Sequence, residues 1–202
     1  NIVVVHNGII ENHVTLRREL QAEGAEITSQ TDTELIAHLV RRERDRGLSL
    51  PEAVRAALGH VHGAYAIAVL DHDDPDLIVA AKDASPLVVG LGDGENFLAS
   101  DVPAILSHTR TMIFLEEGDL VVLRKSGVTI SNIETGEVIE RQPEVINWSP
   151  AMAEKGGYKH FMLKEIHEQP RAVTDTLRGR VMPASGDVEL AGVDLDVLKS
   201  VE

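Results

Sequence analysis

The chain has 202 residues, a formal charge of −14, no cysteine, and only 3% aromatic residues within a hydrophobic fraction of 43%. That length holds one sizeable domain, or one domain plus part of another, around an aliphatic core. The acidic balance argues against nucleic-acid binding, and the missing cysteine excludes thiolate, zinc–thiolate and disulfide chemistry within these residues. No apolar run approaches the ~20 residues that span a bilayer. No basic leader with a cleavage site opens the chain, so the expected location is the cytoplasm.

Ile2 to Val5 is a β-branched run that reads as a buried strand. Val14, Leu16 and Leu20 among charges, with a stop at Gly24, predict a helix. A short strand is expected at "AEITSQ", residues 25–30. The next helix carries Leu35, Ile36, Leu39 and Val40 and stops at Gly47. A third spans Leu50 to Leu58, with Pro51 tolerated in its first turn. "RRERDR", Arg41 to Arg46, reads as a solvated helix face.

From Gly63 the texture changes to short aliphatic runs separated by Gly, Pro and Asp, as in "AYAIAVLD", "DLIVAAKD", "PLVVGLGDG" and "NFLASD". These predict antiparallel strands, with further hairpin turns at Glu117-Gly118-Asp119, Ser126-Gly127 and Thr135-Gly136. Helices followed by many strands indicate α+β. A Gly- and Pro-containing linker is expected near Asn147. Beyond it "HFMLKEIHEQPRAVTDTLRGR" is helical, with Pro170 starting a second helix or kinking the first, and the acidic tail is weakly helical.

Two motifs could carry chemistry. His6-Asn7-Gly8 lies between apolar runs, which by itself signals a hairpin turn. An Asn amide and a Gly N–H can also donate two hydrogen bonds to a developing oxyanion. His6 could serve as a base, although a histidine beside an aliphatic strand is ordinarily a packed residue. Thr31-x-x-Glu34 has the form of a capping box, with Asp32 in the first helical turn, where it could also bind an ammonium group.

Weaker constellations are "GLGDGEN" (90–96), read as a tight turn, and Ser100 or Asp101 as a helix cap. A nucleophilic Ser100 would need a base that the sequence does not identify. His60-x-His62 and Asp71-His72-Asp73-Asp74 lack a second cluster with metal-ligand spacing, so neither metal nor cofactor is expected.

"VVVHNGIIEN", "TDTELIAHL", "GAYAIAVL", "SPLVVGLGDGENFLASD", "FLEEGDLVVL" and "KHFMLKEIHEQP" occur in this order. Together they resemble the isomerizing glutamine–fructose-6-phosphate aminotransferases, the glucosamine-6-phosphate synthases. "TDTE" is shared across class II glutamine amidotransferases, whereas "SPLVVGLGDGENFLASD" and "KEIHEQP" single out this family. The resemblance implies an N-terminal-nucleophile αββα sandwich, incomplete here, followed by a linker and the first helices of a sugar isomerase domain. It implies boundaries at 1–146, 147–158 and 159–202. It also implies hydrolysis of glutamine and transfer of the ammonia to fructose 6-phosphate, with Asn7 and Gly8 as the oxyanion pair. Asp32 would bind the α-amino group of glutamine.

The family's nucleophilic Cys, its carboxylate-clamping Arg segment and the bulk of its isomerase half are absent. The chain therefore reads as an internal piece of a homodimeric enzyme. It is expected to be inactive alone and, lacking strands that pair with Ile2 to Val5 and so leaving unpaired edges, poorly soluble. The alternatives are another class II amidotransferase with a different acceptor domain, or a non-catalytic α+β binding module. Neither membrane nor nucleic acid is expected as a partner.

Overall fold

In the computed structural model of the chain, residues 1–147, 157–177, 180–182 and 187–188 are described. The chain divides into two compact units, Asn1–Trp148 and Ser149–Glu202. The first begins with strand β1 (Ile2–Ile10) and three helices, α1 (His13–Ala22), α2 (Thr33–Asp45) and α3 (Leu50–Leu58). The strands β2 (Gly63–Asp71), β3 (Asp74–Asp83), β4 (Val88–Leu91), β5 (Asn96–Ala99), β6 (Thr111–Phe114), β7 (Asp119–Arg124), β8 (Gly127–Asn132) and β9 (Glu144–Val145) follow. They build a five-stranded sheet in the order β1-β2-β3-β7-β8 and a four-stranded sheet in the order β5-β4-β6-β9. Every strand pair in both is antiparallel.

The two apolar faces of the five-stranded sheet explain the layering. Tyr65, Ile67, Val69, Val79 and Ala81 pack with Leu16, Leu35, Ile36, Leu39 and Val54 from the helices. Ala66, Ala80, Val121 and Leu123, which alternate with them, pack with Val89 and Ile113 of the second sheet. Helices, large sheet and small sheet thus form three stacked layers. On the far side of the small sheet, the irregular stretch after β5 holds a 3-10 turn at Val102–Ala104, capped by Asp101 accepting from the Val102 N–H at 2.8 Å.

The helices run as their periodicity predicts, with Gly24 and Gly47 at positive φ just past α1 and α2. Their caps differ from expectation. Ser49 and Glu52 form a capping box at α3, whereas Thr31 and Glu34 do not form one at α2. There the helix starts at Thr33 with Asp32 as N-cap residue. The Glu34 carboxylate instead accepts from the Thr28 and Ser29 N–H groups. Hydrogen bonds from Ser29, then Thr28, hold its carboxyl down to about 2. That same use of the backbone leaves residues 25–30 as a loop rather than the expected strand.

Two other readings are corrected. Glu117-Gly118-Asp119 is no hairpin turn, because β6 belongs to the small sheet and β7 to the large one, and the segment crosses between them. Asp119 is buried there, held by Arg141 at 2.9 Å and accepting from the Glu116 N–H at 2.8 Å. "RRERDR" is not simply a solvated face: Glu43 is buried between Arg42 and Arg46, and Arg44 reaches the buried Asp71 at 2.8 Å.

The second unit contains helix α4 (Phe161–Leu177) and a short antiparallel pair, β10 (Val181–Met182) and β11 (Asp187–Val188). Helix α4 runs through Pro170 without a break. Most of the expected linker and the acidic tail lie outside the described residues. Among the described residues, no helix is long and apolar enough to cross a membrane.

Candidate active site

Strand β1 carries the candidate site, and its pairing with β2 is unbroken from Ile2↔Asp71 to Ile10↔Gly63. Asn7 and Gly8 therefore lie inside a nine-residue strand, neither in a turn nor at the strand's end. Turn chemistry is overridden here by a partner strand distant in sequence, Asn7 pairing with Ala66 and Gly8 with Tyr65. Glycine is required at position 8 for a different reason. Its φ is +136°, and a Cβ there would be driven into the Ala64 carbonyl of β2.

Alternation along β1 separates two faces. Ile2, Val4 and Ile10 pack toward the helices, and so does His6, paired with Ile67. Val3, Val5 and Asn7 line a cavity of about 330 Å³ together with Ala66, Leu98 and Ser100. Asn7 and Ser100 thus border one space. No base accompanies Ser100 among the lining residues.

Among the described residues β1 is an edge strand, and the hydrogen-bond alternation says what its outer edge offers. The Glu11 N–H donates to the His62 carbonyl at 2.8 Å, toward β2. The Ile10 N–H points the other way and donates to Asp32 Oδ2 at 2.8 Å. In an antiparallel pair every second residue shares one direction, so the Gly8 N–H lies on the same outer edge as that of Ile10. The two are ~7 Å apart along the strand.

Asp32 comes to this edge because it begins α2, where the helix dipole favours a carboxylate. Its main-chain carbonyl accepts from the Leu35 N–H at 3.0 Å. One carboxylate oxygen is committed to Ile10, and the other is 3.8 Å from His6 Nδ1. The Asp32 side chain is 25% exposed and keeps room for a further donor.

His6 is packed, its side chain only 2% exposed, with Nδ1 3.1 Å from Thr33 Oγ1. Burial lowers its pKa below the ordinary 6.5, against the opposing pull of Asp32. The links from β1 to Thr33 and Asp32 could not be read from the sequence, since each spans more than 20 residues.

Among the described residues there is no group of three or more His, Cys, Asp or Glu side chains able to hold a metal. Asp71 and Asp74, singled out by their spacing, are paired with Arg44 at 2.8 Å and Arg124 at 2.7 Å.

Comparison with known proteins follows the same lines. The glutamine amidotransferase domain family matches residues 1–107, just over half of the 202 residues. Over 192 residues the chain is 53% identical to the glutamine–fructose-6-phosphate aminotransferase (isomerizing) of Symbiobacterium thermophilum, covering 95% of this chain and 31% of that protein. It is 48% identical over 200 residues to the Escherichia coli protein of the same name, covering 99% of this chain and 33% of that one. The chain thus spans about a third of the length of the curated relatives it matches. Among solved structures, the glutamine phosphoribosylpyrophosphate amidotransferase of B. subtilis, complexed with ADP and GMP, superposes with a TM-score of 0.58. That match covers 66% of this chain and 29% of the other at 23% identity, a likeness of fold. It is the fold of the N-terminal-nucleophile, class II amidotransferases, and the chain belongs to the glutamine amidotransferase domain family.

Proposed function

We propose that this chain contributes the glutamine-hydrolysing part of an aminotransferase that converts glutamine and fructose 6-phosphate into glutamate and glucosamine 6-phosphate. One observation carries the reading. A hydrogen-bond donor, the Gly8 N–H, and an acceptor, the Asp32 carboxylate, share the free edge of β1. Their spacing, set by two residues of strand rise, is on the scale of a glutamine molecule. Asp32 would accept from the α-ammonium group. The Gly8 N–H and the Asn7 amide would donate to the oxygen of the side-chain amide as it becomes a tetrahedral oxyanion.

The nucleophile in this reading is a Cys thiolate, as in the family that the motifs resemble, and these 202 residues contain no cysteine. By themselves they are not expected to hydrolyse glutamine. The same reading assigns residues 1–146 to the glutaminase domain, 147–158 to a linker and 159–202 to the start of a sugar isomerase half. It makes the whole protein a cytoplasmic homodimer.

The test uses the protein expressed from its complete reading frame, assayed for glutamate release and for glucosamine 6-phosphate. Asn7→Ala should lower kcat by ~10²–10³, and Asp32→Asn should raise KM for glutamine. A protein that releases no glutamate, or that aminates another acceptor and ignores fructose 6-phosphate, would overturn the proposal.

A further inference from the structure

We propose that His6 is a positioning residue, whose neutral imidazole fixes the Asp32-bearing start of α2 against the strand that presents Asn7 and Gly8. The inference rests on the glutamine-hydrolysing reading above. Two links join β1 to α2, His6 Nδ1 with Thr33 Oγ1 at 3.1 Å and the Ile10 N–H to Asp32 Oδ2 at 2.8 Å. They stand on either side of Gly8 in the strand. Together they set the distance between the oxyanion donors and the carboxylate that would hold the substrate's ammonium.

The second observation is at the other ring nitrogen. His6 Nε2 is buried and has no hydrogen-bond partner among the described residues. An unsatisfied buried polar atom is unfavourable, so a residue present only to fill space would be aliphatic, as its neighbours are. Nδ1 faces both Thr33 Oγ1 and, at 3.8 Å, Asp32 Oδ1. The carboxylate favours a proton on that nitrogen, so Nδ1–H donates to Thr33 and Nε2 is left as a bare acceptor. Burial keeps the ring neutral, since a second N–H would have no acceptor.

This assignment distinguishes side chains. Asn carries an amide nitrogen close to the place of Nδ1, whereas Gln reaches toward the place of Nε2. His6→Asn, His6→Gln and His6→Leu, made in the protein from the complete reading frame, are compared for kcat, KM for glutamine and melting temperature. His6→Leu and His6→Gln should raise KM and lower kcat/KM by up to ~100-fold, as for a misplaced orienting group, while His6→Asn restores most of it. In an Asp32→Asn background, His6→Leu should cost little more, because both act on one contact.

Equal KM values across the three variants and wild type, with only the melting temperature changed, would overturn the proposal. So would losses that simply multiply in the Asp32→Asn background. A wild-type protein that releases no glutamate sinks the functional reading itself, whereas an active enzyme indifferent to His6 sinks this inference alone.

Discussion

Replacing Gly8 with Ala tests whether β2 truly dictates the residue at the centre of the candidate site. Two costs add. The φ of +136° is a conformation that L-residues rarely adopt, and strain of this kind costs ~1–3 kcal/mol. The new Cβ would also overlap the Ala64 carbonyl oxygen and lie 2.9 Å from Tyr65 Cα. Both are backbone atoms of the paired strand, so relief requires opening the ladder around Gly8↔Tyr65. Losing two ladder hydrogen bonds adds about 2 kcal/mol, bringing the expected loss to roughly 3–5 kcal/mol. Gly47 is the control, with φ +92° and nothing within 4 Å of a built Cβ, so Gly47→Ala meets backbone strain alone, ~1–2 kcal/mol. Equilibrium urea denaturation at low protein concentration, followed by circular dichroism, measures both. If Gly8→Ala costs no more than Gly47→Ala, the close approach of β2 does not constrain this position and the steric argument is wrong.

Arg141→Met removes the cation that faces the buried Asp119 carboxylate, held at 2.9 Å. Breaking a fully buried pair costs ~3–5 kcal/mol, and the partial exposure of Arg141 lowers the expectation to about 2–3 kcal/mol, read as a fall in urea midpoint. Adding Asp119→Asn should recover part of it; further loss would contradict the pairing argument. For His6, a folded pKa held below 6.5 by burial means that the unfolded chain takes up the proton first as pH falls. Its stabilising share is therefore complete above pH 6.5 and declines as pH drops toward the folded value. His6→Asn should flatten that part of the stability–pH curve, and an unchanged slope would refute the assignment. On the free edge, Val3, Val5 and Ile9 are 58%, 65% and 68% exposed, and such edges pair with other chains. Val5→Lys should reduce concentration-dependent association of the 202-residue chain in sedimentation velocity; a monodisperse parent chain would show that the edge is harmless.

What the sequence made legible follows the range of the interactions involved. The helix faces of Leu35, Ile36, Leu39 and Val40, and the Ser126-Gly127 hairpin between β7 and β8, depend on residues a few positions apart, and both formed as read. The misreadings sit where a distant partner outcompetes a local preference. Thr31-x-x-Glu34 and Ser49-x-x-Glu52 have the same spacing, yet only the second caps its helix. At the first, the loop before α2 offers Glu34 the N–H groups of Thr28 and Ser29, and Asp32 takes the N-cap position instead. Asn7-Gly8 has the chemistry of a turn, but β2 returns alongside it and keeps the strand extended. The Gly118 turn signal is real as a change of direction, yet β6 and β7 pair in different sheets, which no local pattern encodes.

The same asymmetry runs through the site. That Asp32 stands at a helix start is a local fact, and its charge suits that place whatever it binds. That it grips the Ile10 N–H, 22 residues earlier, is tertiary, and this grip makes the acid more than a cap. An unbonded N-cap carboxylate would be free to swing, whereas one tied to the strand of Asn7 and Gly8 has a fixed distance to both. Recognition of an amino acid by its ammonium and its side-chain amide at once depends on that distance. Under the proposed glutamine-hydrolysing reading, the hydrogen bonds of His6 with Thr33 and of Ile10 with Asp32, which tie the strand of "HNG" to "TDTE", therefore count for more than the residue types in the two motifs.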